Sequence, residues 1–178
     1  MTEKKRVYKS RSFDYSLDYA NLDLRKNPEL YRIGRGEQGV LVVEPYKSEI
    51  LPYWKFKTPD VALKSAKKIF ALFNGYKKEK DFVGMDMARK FLQMGYTRSR
   101  RYANHASGQK FEKNPQKEAS PDKEKKARTK VLPQEKDWGT SEKAESARIF
   151  YGYYMKAKED PSYLALKKIH QETKKGAD

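Results

Sequence analysis

From Asp81 to Lys110 the chain reads DFVGMDMARKFLQMGYTRSRRYANHASGQK, and no Asp or Glu occurs between Met87 and Phe111. Apolar residues in its first half recur at helical spacing. Val83, Met85, Met87, Ala88, Phe91, Leu92 and Met94 span a wide arc, leaving Asp86, Arg89, Lys90 and Gln93 on the remaining face. Asp81 is placed to cap this helix. Asp86 precedes Arg89 by three residues and Lys90 by four, the orientation that favours helix ion pairs. Gly95 has the place of a left-handed residue just past a helix end. The pattern therefore predicts a helix over 81–94 and a fresh start at Thr97.

A helix opening at Thr97 would carry Arg98, Arg101 and His105 as one stripe, with Arg100 and Asn104 beside it. Positive charges in a first helical turn oppose the dipole at a cost of ~0.3–1 kcal/mol each. A bound phosphate would remove that conflict, because backbone N–H groups and arginines would converge on it. Arg98, Arg100, Arg101, Asn104, His105 and nearby Lys110 are accordingly expected to form an anion-binding helix start. The alternative is that these bases pair with acids elsewhere, such as Glu44, Glu49 or Glu145.

Upstream, Thr58-Pro59-Asp60 signals a helix start: an N-cap, a proline at the first position and an acid in the first turn. Val61, Ala62, Ala66, Ile69, Phe70, Leu72, Phe73 and Tyr76 form its apolar face, and Gly75 with the Lys77–Lys80 run suggests its end. Phe13, Tyr15, Leu17 and Tyr19 alternate as in a half-buried strand. Tyr31–Pro45 (YRIGRGEQGVLVVEP) reads as a β-hairpin, with Gly34, Gly36 and Gly39 supplying positive φ in the turn. Those glycines also spell G-x-G-x-x-G, but a β-branched run follows where a dinucleotide fold needs a helix, and the kinase signatures are missing. In Tyr53–Lys57 a strand would set Trp54 and Phe56 on one side and Lys55 and Lys57 on the other. Trp54, Lys55 and Lys57 could then stack bases and hold phosphates, or the aromatics could simply be core.

Ser107–Asp137 is rich in Lys, Glu, Pro, Ser and Gln and reads as a long solvated loop or disordered insertion. Thr140 is placed to cap a helix with Ala144, Ala147, Phe150, Tyr151 and Tyr154 inside. Asp160-Pro161 restarts a last helix, near whose end His170 is expected at the surface. The fold expected is α+β: a small N-terminal β-hairpin or sheet region packed with about four helices, plus a long polar loop. Residues 1–12 read as a basic arm, and 13–178 as one domain carrying the insertion at about 107–137.

Charge bounds the function. Lys and Arg number 40 against 24 Asp and Glu, a formal net charge of +16, which draws phosphate-rich partners. Mean hydropathy is −1.04, yet 13 Tyr, 8 Phe and 2 Trp are enough to fill a core. The absence of Cys excludes disulfides, zinc–thiolate sites and Cys nucleophiles. No apolar run approaches a membrane span and no secretory leader is visible, so a cytoplasmic protein without a membrane partner is expected. No metal-ligand cluster or hydrolase motif occurs, and no metal, cofactor or catalytic residue is expected. The most defensible catalytic set would be His105 with Arg98, Arg101 and a carboxylate such as Asp86 or Glu44.

The runs YRIGRGEQGVLVVEPYKSEILPYWKFKTP, DFVGMDMARKFLQMGYTRSRRYANH and EKAESARIFY resemble the uncharacterised family known as domain of unknown function 4385. The resemblance extends over most of Tyr31–Lys168. It implies a phage or bacterial origin and assigns no activity. The expected function is therefore a basic accessory protein that binds DNA or RNA with weak sequence specificity. The alternatives are a virion or assembly component with a basic face, meeting a phage or host protein, and an enzyme acting on a phosphate-containing substrate.

Overall fold

The computed structural model describes residues 13–175, so the arm expected over Met1–Ser12 lies outside the described residues. Six α-helices carry the described chain: α1 (Tyr46–Ile50), α2 (Pro59–Lys78), α3 (Phe82–Asn104), α4 (Pro121–Thr129), α5 (Glu142–Lys158) and α6 (Pro161–Lys175). Short 3-10 turns lie at Pro28–Leu30, Leu51–Tyr53 and Pro115–Lys117.

The helix starts follow the local chemistry. The Thr58 hydroxyl accepts from the Val61 amide at 3.3 Å, and an Asp81 carboxylate oxygen accepts from the Gly84 amide at 3.1 Å. Asp160 does the same for the Tyr163 amide at 3.0 Å. The cap of α5 is Ser141 rather than Thr140: its hydroxyl accepts from the Ala144 amide at 3.2 Å.

α2, α3 and α5 pack against one another, and α6 closes onto α3, α5 and the Pro28–Leu30 turn. Ile69 and Phe73 of α2, Phe91 and Leu92 of α3 and Phe150 of α5 are fully buried between them. Among the described residues no helix is long and apolar enough to cross a membrane.

The expected α+β class is overturned. The described residues form no sheet, and the one β contact is an isolated bridge between Phe111 and Val131. Three local causes are visible. In 13–24 the acids that interrupt the alternation build turns: Asp14 accepts from the Ser16 amide at 2.9 Å, and Asp23 from the Arg25 and Lys26 amides at 2.9 and 3.0 Å. At Gly39, φ +85 turns the chain so that the Val42 and Val43 amides bond back to the Gly39 carbonyl. Val40 and Val43 are buried while Leu41 is exposed, a helix-like spacing hidden in a β-branched run. Trp54–Lys57 keeps the alternation, with Trp54 and Phe56 packed on the core and Lys55 and Lys57 exposed. Its backbone finds no strand partner; the Lys55 amide donates to Ser65 Oγ of α2 at 3.0 Å.

The break expected at Gly95 does not occur. α3 runs straight through it for 23 residues. Gly95 is there for proximity: a Cβ at this position would overlap the Phe150 ring of α5. Thr97 is therefore mid-helix, and Arg98, Arg100 and Arg101 sit near a helix C-terminus, where positive charge is favoured by the dipole. The electrostatic conflict that pointed to a phosphate at a helix start is absent.

The polar face expected on α3 is also covered. Asp86 and Lys90 are fully buried, beneath the 13–43 segment and α6. His170, expected at the surface, is partly buried, its Nε2 2.6 Å from the Tyr31 carbonyl and its ring against Phe82.

The 107–137 segment forms a mainly exposed excursion held at its base. Glu112 N bonds Lys130 O at 3.1 Å and Leu132 N bonds Lys110 O at 2.8 Å, and α4 lies between. Inside it only Pro115 and Ala127 are buried.

Candidate functional site

α3 carries two distinct chemical environments, one in each half. In the N-terminal half, Asp86 accepts from Arg89 Nε at 2.8 Å, from the Tyr163 hydroxyl at 2.6 Å and from the Tyr31 hydroxyl. Arg89 Nη1 donates to Gln93 Oε1 at 3.0 Å. Lys90 Nζ lies 3.9 Å from Asp86, donates to the Gln38 carbonyl at 2.5 Å, and faces the Phe13 and Tyr31 rings. Burial pushes the Asp86 carboxyl up, but Arg89, Lys90 and the two hydroxyls outweigh it and hold the group at about 2. Burial lowers the Lys90 ammonium to about 8, with Asp86 offsetting only part of the cost. The i, i+3, i+4 pairing read from the sequence is thus real, and deeply buried.

A second network borders a cleft of about 1070 Å³ between α2 and the 25–53 segment. Arg25 forks onto Glu49 at 2.7 and 2.8 Å, Tyr76 donates to Glu49 at 2.6 Å, and Tyr46 donates to Asp81 at 2.7 Å. These polar atoms satisfy one another, which suits a structural clasp.

The C-terminal half of α3 holds most of the sequence-predicted anion residues. At 100° per residue its solvent-facing arc carries, in order, Tyr102, Arg98, Arg101, Asn104 and Arg100. The Arg98 and Arg101 side chains have no ion pair or hydrogen bond among the described residues. Two of their expected acidic partners are otherwise placed, Glu49 with Arg25 and Glu44 with Lys47, and Glu145 is exposed with no ion pair among the described residues. Two other members of the predicted set serve the fold. His105 is buried with Nδ1 3.0 Å from the Pro133 carbonyl, and Asn104 Oδ1 accepts from Arg100 at 2.8 Å and from Gln134 at 3.3 Å. Both tie the 107–137 excursion to the end of α3. Lys110 is exposed at the base of that excursion, 5.4 Å over the Phe111 ring.

Folding brings the second predicted segment to the same end of α3. The Phe56 ring lies 6.0 Å from that of Tyr102, and with Lys57 and Lys143 they line a surface cleft of about 340 Å³. Lys143 donates to the Phe56 and Lys57 carbonyls at 3.1 and 2.8 Å, and its ammonium faces both rings. Burial and the nearby Lys57 lower its pKa. On the opposite flank Arg100 stacks 5.6 Å over Trp138, which is 46% exposed. Trp54 is more interior than expected of a stacking residue: it packs on Phe56 and Phe91, while Lys55 and Lys57 remain exposed.

Tyr102, Lys143 and Trp138 lie outside the anion-binding set expected from the sequence. Tyr102 sits inside the RSRRYANH run, and Lys143 carries the signal of a base in a helix's first turn, where the dipole disfavours it. Trp138 gives no local signal beyond its place after a polar stretch.

The described residues contain no group of His, Asp and Glu arranged to hold a metal ion. Among known proteins, the family model described as Domain of unknown function (DUF4385) matches residues 14–173. No curated protein and no solved structure matches the chain.

Proposed function

We propose that this chain, which belongs to the DUF4385 family, binds nucleic acid through the C-terminal half of α3 and the segments folded against it. The observation that carries the reading is the convergence of two separated basic–aromatic segments. Phe56 and Lys57 meet Tyr102 and Lys143 beside Arg98 and Arg101, whose charges have no ion-pair partner among the described residues. Tyr102 is 39% exposed and Trp138 46%. Exposed rings beside unpaired cations are what a flexible strand needs: stacking for the bases and charge for the phosphates. The net charge of +16 supplies long-range attraction to the same partner. Stacking on exposed rings needs bases that are not already stacked in a duplex, which favours single strands with weak sequence preference.

Fluorescence anisotropy with a mixed-sequence single-stranded oligonucleotide tests this. Affinity should fall by at least about tenfold between ~50 and ~200 mM salt, and a duplex of the same sequence should bind more weakly. Substituting Arg98, Arg101 and Lys57 by Ser together should weaken binding by about tenfold or more and flatten the salt dependence. Undiminished binding by that variant, with an unchanged circular dichroism spectrum, would sink the assignment.

A further inference from the structure

The buried cluster in the N-terminal half of α3 contains two bases and one acid. Among the described residues, Asp86 is the one carboxylate within ion-pair distance of Arg89 or Lys90. A buried charge without a counter-charge is costly, so the surplus has to be met locally. Lys90 is met by the Gln38 carbonyl and two ring faces. Arg89 instead lines a cleft of about 400 Å³.

The walls of that cleft are basic. The Gly34-Arg35-Gly36 turn forms one side, and Lys158 and Lys167, from the α5–α6 end, form the other. Arg35, Lys158 and Lys167 have no acid within ion-pair distance among the described residues. The Lys158 ammonium rests 5.7 Å over the Tyr154 ring. Glu159 is the one acid in the lining. Gly36 has φ +58, and a Cβ there would meet only Gln93 Nε2, at 3.8 Å. Its requirement is thus the left-handed backbone, which also leaves this wall bare of side chains at that point. A guanidinium has five N–H donors; on Arg89, Nε bonds Asp86 and Nη1 bonds Gln93, with Nη2 2.8 Å from Asp86 Oδ1.

We propose that this cleft binds a small phosphorylated ligand, with its phosphate against Arg89 and with Lys158 and Lys167 closing on it. A phosphate dianion matches both the surplus buried charge and the unpaired rim, and its oxygens suit a guanidinium held in place by its own carboxylate. The volume accommodates a phosphate with a sugar-sized group attached. Arg89 precedes Arg98 by nine residues on the same helix, so the cleft is separate from the proposed nucleic-acid face and does not depend on it.

Calorimetric titration of the full chain with inorganic phosphate, pyrophosphate and ribose 5-phosphate tests the site. Saturable 1:1 binding is expected. Lys158→Ser with Lys167→Ser should weaken it by at least about tenfold, equivalent to about 1.4 kcal/mol, with the thermal midpoint unchanged. Arg98→Ser with Arg101→Ser should leave it intact. No saturable binding by any of the three probes overturns the proposal, as does binding that survives the rim substitutions. Equal loss in the Arg98/Arg101 variant also overturns it, since the anions would then be reading the other face. An oligonucleotide whose affinity falls with the rim substitutions would do the same, by assigning the cleft to nucleic-acid backbone.

Discussion

Lys90 shows how one residue sets the pH response of the fold. Its folded pKa of about 8 lies below the ordinary lysine value of roughly 10.4, because burial disfavours the ammonium. Between those values the unfolded chain binds more protons, so stability rises with pH from about 8 towards about 10. The rise is up to about 3 kcal/mol for a shift of this size. Above about 10 the trend reverses: burial beside Asp86 raises the Tyr31 and Tyr163 hydroxyls, so the unfolded chain loses those protons first. Asp86 acts at the acid end. Its carboxyl is held at about 2, so the stability it contributes is complete above roughly pH 4 and is lost as pH falls through 2. Denaturant melts of Lys90→Met at pH 7, 8, 9 and 10 should lose the alkaline rise. A rise that persists in the variant would place its source elsewhere.

Two glycines in long helices separate conformational from packing requirements at the scale of the element. Gly75 lies inside α2 with nothing within 4 Å of an added Cβ, whereas at Gly95 in α3 a Cβ would strike Phe150. Gly75→Ala should therefore stabilise the protein by about 0.5–1 kcal/mol through helix propensity. Gly95→Ala gains the same propensity but pushes α5 off α3, and should destabilise by about 1–3 kcal/mol net. Thermal melts of the two single variants give opposite signs if this contrast is correct. Gly95 satisfies the spacing rule for a helix end, but spacing cannot distinguish a glycine needed for positive φ from one needed for a close helix contact. Where the cause was local, as with Thr58, Asp81 and Asp160, the elements were legible. The short β-branched run Val40–Val43 was not, because its burial at i and i+3 depends on a turn imposed by Gly39.

Across the whole molecule, what escaped the sequence was which surfaces meet. The Asp86–Arg89–Lys90 spacing announced an ion pair, but its burial depends on Tyr31, Tyr163 and Phe13, from opposite ends of the chain. Arg98 and Arg101 were legible as a basic stripe. Their neighbours Phe56 and Lys143 reach that end of α3 across separations of about forty residues that no local pattern encodes. His105 and Asn104 looked like ligands and instead fasten an excursion, since a polar residue at a helix end is as useful to a passing backbone as to an anion.

The continuity of α3 also sets what kind of change the chain tolerates. A helix is a screw: each residue advances about 1.5 Å and turns 100°. Arg89 and Arg98 are fixed in phase with each other by the nine steps between them, with no loop to absorb an error. Substitutions on the exposed arc leave that phase alone, but one inserted residue rotates everything beyond it by more than a quarter turn. An extra alanine after Gln93 should turn Phe150's partner surface away and swing Arg98 and Tyr102 off Phe56. Soluble expression and cooperative melting of that variant should fail, while an extra alanine after Lys113, in an exposed non-helical part of the excursion, should leave both intact.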